Sequence, residues 1–115
     1  MPALNDHELS RLLATQAGDL LLRLRADNPH LTPKELGAAG DEAAHALLME
    51  ALHDHRPDDA VLSEEGIDNT DRLSSSRVWI IDPLDGTREY GENRADWAVH
   101  VCLAVDGRAE IGAIA

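Results

Sequence analysis

The segment Asp82-Pro83-Leu84-Asp85-Gly86-Thr87 concentrates the groups in this sequence that could do chemistry. It follows the apolar run Val78-Trp79-Ile80-Ile81, which reads as a buried strand, so Asp82 stands where that strand emerges. Pro83 suits the second position of a type I or II turn, with Asp82 and Asp85 brought together as its first and fourth residues. Two carboxylates that close raise each other's pKa unless a cation neutralises them, and a divalent ion is the natural partner. Oxygen ligands without His or Cys select hard Mg2+ or Mn2+ over zinc. Gly86 removes a side chain where a ligand would approach the backbone, and Thr87 adds a hydroxyl able to orient water; both suit phosphate. Taken alone, the same residues also describe an ordinary solvated turn.

The rest of the chain must position these groups. Its 115 residues, 43% of them hydrophobic, allow one small domain. A formal net charge of −12, from 22 acidic against 10 basic residues, disfavours nucleic acid and anionic membranes as partners. It also repels a phosphorylated substrate, so a carboxylate cluster that captures metal would have to mediate. Cys102 is the only cysteine, which leaves no intrachain disulfide or thiolate metal site and fits a reducing compartment. The N-terminus shows neither a basic n-region nor an apolar h-region, and a cytoplasmic location is expected.

Leu9, Leu12, Leu13, Ala17, Leu20, Leu21 and Leu24 recur at helical spacing, so a helix is expected over Glu8 to Arg25, capped by Asn5 or Asp6. Asp27-Asn28-Pro29 breaks it. A Gly- and Ala-rich loop is expected to reach Gly40, and a second helix to run from Asp41 to His55 before Arg56-Pro57. Ala60-Val61-Leu62 and Val78 to Ile81 read as buried strands, with a polar connection from Asn69 to Arg77. Val99, Val101 and Leu103 alternate with His100, Cys102 and Ala104, and Asp106-Gly107 predicts a hairpin into Glu110 to Ala115. The expected fold is α+β, two helices layered on a largely antiparallel sheet. A last strand ending at the terminus leaves an open edge, and an incomplete domain that pairs with a further segment or chain is expected.

With the signature complete from Asp82 to Thr87, the chain resembles the magnesium-dependent inositol monophosphatase superfamily, whose motif is D-P-[IL]-D-G-T. Ser63-Glu64-Glu65-Gly66 is similar to the family's Glu-Glu pair after a short strand, and Asp41 to its acidic residue opening the second helix. Thr87-Arg88-Glu89-Tyr90 looks like the T-[KR]-E-[FY] of the CysQ branch, the 3'(2'),5'-bisphosphate nucleotidases. Asp96-Trp97-Ala98-Val99-His100 is similar to that branch too. The resemblance implies the N-terminal part of that fold, with the C-terminal α/β domain absent from residues 1–115. It implies that Glu64, Asp82 and the Leu84 carbonyl hold one Mg2+ or Mn2+, and that Asp82 bridges to a second held by Asp85. Substrate contact is implied for Glu64, Leu84, Asp85, Gly86 and Thr87, with the amides of Gly86 and Thr87 on a phosphate oxygen. Thr87 and Glu64 are implied catalytic residues that orient and deprotonate a metal-activated water, with Asp41 in support.

The implied reaction is hydrolysis of adenosine 3',5'-bisphosphate to AMP and phosphate. An inositol-phosphate phosphatase and an inactive metal-binding or interaction module are the alternatives. Asp41 has Ala38 where the family carries threonine, so a helix-capping role for Asp41 stays open, as does a solvated Glu65. No segment matches the family's later W-D-x-A-A motif, which leaves the second metal position short of a ligand. The implied partners are a small phosphorylated substrate and a second copy or the C-terminal part, without nucleic acid or membrane. His53 and His55 lie two apart on a helix and read as surface residues. Trp79 and Trp97 read as packing residues, with an adenine-pocket role open for Trp97, and Arg88 and Tyr90 are open between substrate contact and packing. The three-residue spacing of the aspartates argues against a haloacid-dehalogenase D-x-D motif.

Overall fold

A computed structural model describes residues 4–63, 66–67 and 76–115. Helices α1 (Asp6–Asp27) and α2 (Pro33–His55) precede strands β1 (Ala60–Ser63), β2 (Gly66–Ile67) and β3 (Arg77–Asp85). The short helix α3 (Thr87–Gly91) leads into the hairpin of β4 (Ala98–Val105) and β5 (Arg108–Ile114). The strands form one sheet in the order β2-β1-β3-β4-β5. β1 runs parallel to β3, while the other three pairings are antiparallel, so the expected α+β layering is observed.

The leucine stripe of α1 packs Leu9, Leu13, Ala17 and Leu21 with Ala44, Leu48 and Leu52 of α2, over Trp79, Ile81, Val99, Val101 and Leu103 of the sheet. Each buried leucine contributes roughly 1.5–3 kcal/mol. The alternation in β4 buries the expected face. At the start of α1, Asn5 accepts from the Glu8 amide at 2.8 Å and the Glu8 carboxylate accepts from the Asn5 amide at 3.1 Å, a reciprocal capping box.

The second helix departs from expectation. It begins at Pro33 rather than Asp41, because Thr32 and Glu35 form a second capping box and Pro33 occupies the first helical position. Its glycines serve contact rather than a loop. A Cβ on Gly37 would lie 2.8 Å from Thr87 Cγ2, and one on Gly40 would lie 2.7 Å from Tyr90 Cε2. Asp41 therefore sits inside the helix, and the capping role is excluded.

The expected turn at Pro83 is also absent. β3 continues through Asp85, and three residue steps from Asp82 to Asp85 answer two from His100 to Ala98 on β4, a β-bulge. Residues three apart on a regular strand face opposite sides, whereas the extra residue resets the alternation and lets both carboxylates serve one site.

Polar ties fasten the far end of β3. Arg77 reaches Asp59 at 3.1 Å and Asp6 at 2.9 Å, Arg56 reaches Asp6 at 3.1 Å, and Trp79 Nε1 donates to Asp59 at 2.9 Å. Burial alone would raise the Asp6 pKa, but hydrogen bonds from Arg77 and Arg56 outweigh it and hold the carboxyl below its usual range. A depressed carboxyl stabilises the fold above its unfolded pKa, near 4, and that contribution is lost as pH falls through the lower folded value. We expect Asp6→Asn to lose less stability than the wild type between about pH 5 and pH 3, read from urea midpoints.

Candidate metal and phosphate site

β3 carries Asp82, Leu84 and Asp85 to the sheet end, the bulge turns both aspartates toward one place, and α2 brings Asp41 to them from the side. Burial raises the Asp82 pKa above the usual carboxylate range, and the charge of Asp85 raises it further. A hydrogen bond from the Leu84 amide and the nearness of His100 pull it down, while Asp41 adds a smaller upward push. One oxygen of Asp82 and one of Asp41 are buried without a hydrogen-bond partner. Unpaired buried carboxylate oxygens are costly, and two at one place make a strongly anionic spot.

Asp85 is exposed, and its Oδ2 lies 3.2 Å from His100 Nε2. His100 faces Asp82 directly across the β3–β4 ladder. Sequence reading missed this histidine as a site residue, although its place on the less apolar face of β4 was a usable signal. One turn beyond Asp41 on α2, His45 Nε2 lies 3.3 Å from Ser63 Oγ at the end of β1. Glu64 and Glu65 lie outside the described residues.

Gly86 adopts φ 87°, the left-handed region, and a Cβ there would lie 2.9 Å from the Asp96 carbonyl oxygen. Its glycine is required by backbone conformation and by packing on the Asp96-Trp97 segment. Thr87 then opens α3, and its hydroxyl donates to the Leu84 carbonyl at 3.1 Å rather than to Asp41. That carbonyl retains a second lone pair for another partner.

Tyr90 is fully buried and donates to the Leu21 carbonyl at 2.6 Å, which assigns it to packing. Its ring meets Trp97 edge-on at 5.1 Å, and Arg25 covers both rings at 5.0 and 5.5 Å. Arg25 also donates to the Tyr90 and Arg94 carbonyls, so α1 pins the segment behind Gly86-Thr87. Trp97 also borders a polar cleft of about 420 Å³ with Asp85, Glu89 and Asp96. His53 and His55 are exposed, as expected.

Among the described residues, no three His, Cys, Asp or Glu side chains are already gathered as a metal site. What the described residues offer is two unpartnered carboxylate oxygens, a third carboxylate and a carbonyl with a free lone pair, all hard oxygen donors. That set fits Mg2+ or Mn2+ rather than a softer ion.

A family model described as the inositol monophosphatase family matches residues 8–115. The chain is 51% identical to the 3'-phosphoadenosine 5'-phosphate phosphatase of Mycobacterium leprae (strain TN), with 94% of this chain and 43% of that protein covered. It is 32% identical to the 3'(2'),5'-bisphosphate nucleotidase CysQ of Escherichia coli (strain K12), covering 89% of this chain and 44% of that one. The solved structure of inositol monophosphatase II from Staphylococcus aureus MSSA476 superposes with a TM-score of 0.80 at 27% identity, covering 92% of this chain and 39% of that one. The chain thus spans less than half the length of the curated relatives it matches.

Proposed function

The chain belongs to the inositol monophosphatase family, and from that premise we propose that residues 1–115 form its N-terminal metal-binding domain. Their proposed work is phosphomonoester hydrolysis, with adenosine 3',5'-bisphosphate as substrate. The observation that carries this reading is the pair of buried, unpartnered oxygens of Asp82 and Asp41 beside Asp85, immediately before Gly86-Thr87. Asp82, Asp85 and the Leu84 carbonyl, with Glu64, are the residues to hold Mg2+ or Mn2+. When bound, the ion supplies positive charge for the phosphate and lowers the pKa of a water.

The protein groups do the positioning. The amides of Gly86 and Thr87 hold phosphate oxygens, and the Thr87 hydroxyl, anchored on the Leu84 carbonyl, orients the attacking water. Glu64 takes its proton. Asp41 adds negative charge that strengthens the hold of Asp82 on a cation. No helix among the described residues is long and apolar enough to cross a membrane.

The nucleotide is favoured by the names of the 51% and 32% identical relatives. An inositol phosphate is the second reading, supported by the Staphylococcus structure. In Mg2+-dependent phosphate release, the chain is expected to prefer adenosine 3',5'-bisphosphate over inositol 1-phosphate, and Thr87→Ala to lower the rate at least about 10²-fold. Clear preference for the inositol ester would overturn the nucleotide assignment.

A further inference from the structure

We propose that His100 is a positioning residue for the metal ligand Asp85, its Nε2–H holding the carboxylate by Oδ2 and leaving Oδ1 free for the cation. This rests on the metal-site reading above and deepens it.

Asp85 needs such a tie. Its side chain is 63% exposed and borders the open polar cleft that Glu89 and Asp96 share, so it has room to rotate away from Asp82. Among the described residues, no other side chain hydrogen-bonds it. A carboxylate already held in place gives up less rotamer freedom when it takes an ion.

The sheet, rather than the neighbouring sequence, places the ring. His100 stands opposite Asp82 on β3 and opposite Ile114 on β5, so the polar groups facing it from the adjoining strands are Asp82 and Asp85. Asp85 pairs with Ala98, two residues along β4, so the 3.2 Å contact to His100 runs diagonally across the bulged ladder. Nearness of His100 also lowers the Asp82 pKa against the effects of burial and Asp85, which puts one ring within electrostatic reach of both carboxylates.

The hydrogen bond also fixes what the ring does. An ionised carboxylate oxygen can only accept, so Nε2 carries the hydrogen. A nitrogen that donates cannot also ligate, and at this contact the ring holds the ligand rather than the ion. Ties of this kind behind a metal ligand typically contribute about 10–100-fold in metal affinity, and the exposure of this pair favours the lower end.

The test titrates Mn2+ by calorimetry into the wild-type chain, His100→Ala, His100→Leu and His100→Gln, with metal-free thermal unfolding of each. Leucine removes the donor while keeping side-chain bulk on the strand, and the glutamine amide can donate from roughly where Nε2 stands. His100→Ala and His100→Leu are expected to raise the Kd about 10-fold with little change in the metal-free midpoint, and His100→Gln to stay within about 3-fold of the wild type. Equal affinity in all four chains, tighter binding without the donor, or a loss that glutamine does not recover overturns the positioning role and leaves the metal site standing. A wild-type chain that binds no Mn2+ overturns both.

Discussion

Gly91→Ala is expected to destabilise the chain by about 3 kcal/mol and to lower its unfolding midpoint by more than ~10 °C. Gly91 closes α3 against the start of α2, where an added Cβ would overlap the Pro33 carbonyl oxygen and lie 2.9 Å from its carbon. Both partners are backbone, and Pro33 is fixed by the capping box, so neither side can yield cheaply. The helices must separate. Thr87, packed on Gly37 one turn along the same seam, would move with α3 and carry the Gly86-Thr87 segment away from Asp41. Thermal unfolding monitored by circular dichroism measures the effect, and an unchanged midpoint would refute this packing.

The second large effect runs in the opposite direction. Asp82→Asn is expected to raise the thermal unfolding midpoint of the metal-free chain at pH 7. Asp82 is held above its usual pKa by burial and by Asp85, so the folded state binds its proton more tightly than the unfolded state does. Its favourable contribution is complete below the unfolded value near 4 and disappears as pH rises through the higher folded value. At neutral pH the ionised carboxylate is a net cost, which the amide removes. The sign is opposite to that of Asp6, whose two arginines make its charge stabilising. If Asp82→Asn lowered metal-free stability at pH 7, Asp82 would have to be a structural carboxylate instead.

The elements with strong periodicity were legible in the sequence. The leucine stripe of α1, the alternation of β4 and the Asp106-Gly107 hairpin each follow from one local rule, and each stands in the structure. The start of α2 was not, because Gly37 and Gly40 read as loop residues when their reason is contact with Thr87 and Tyr90, each 50 positions away in the chain. The same limit explains the Asp82-Asp85 pair. Local turn chemistry foresaw that the two carboxylates would lie close together, but the cause is a bulge fixed by pairing with β4, which no local rule contains. His100 comes within 3.2 Å of Asp85 only through strand register, so single-sequence reading passed over it.

The kinds of group gathered at the end of β3 were legible where their placement was not. Six adjacent residues carried oxygen donors, the close backbone approach and the hydroxyl, and they remain adjacent in space because β3 runs directly into α3. Asp41 shows how a residue can be chosen for one reason and placed for another. Expected at the head of a helix, it lies inside α2 and presents a buried, unpartnered oxygen.

A calorimetric titration of Mg2+ and Mn2+ into the wild-type chain and Asp82→Asn tests directly whether Asp82 and its neighbours form the proposed divalent-cation site. Saturable binding by the wild type, with unfolding free energy raised by about 2.7 kcal/mol at a free metal concentration near 100 Kd, is the predicted result, and Asp82→Asn should show neither. Equal binding by both chains, or no metal-induced stabilisation of the wild type, would contradict it.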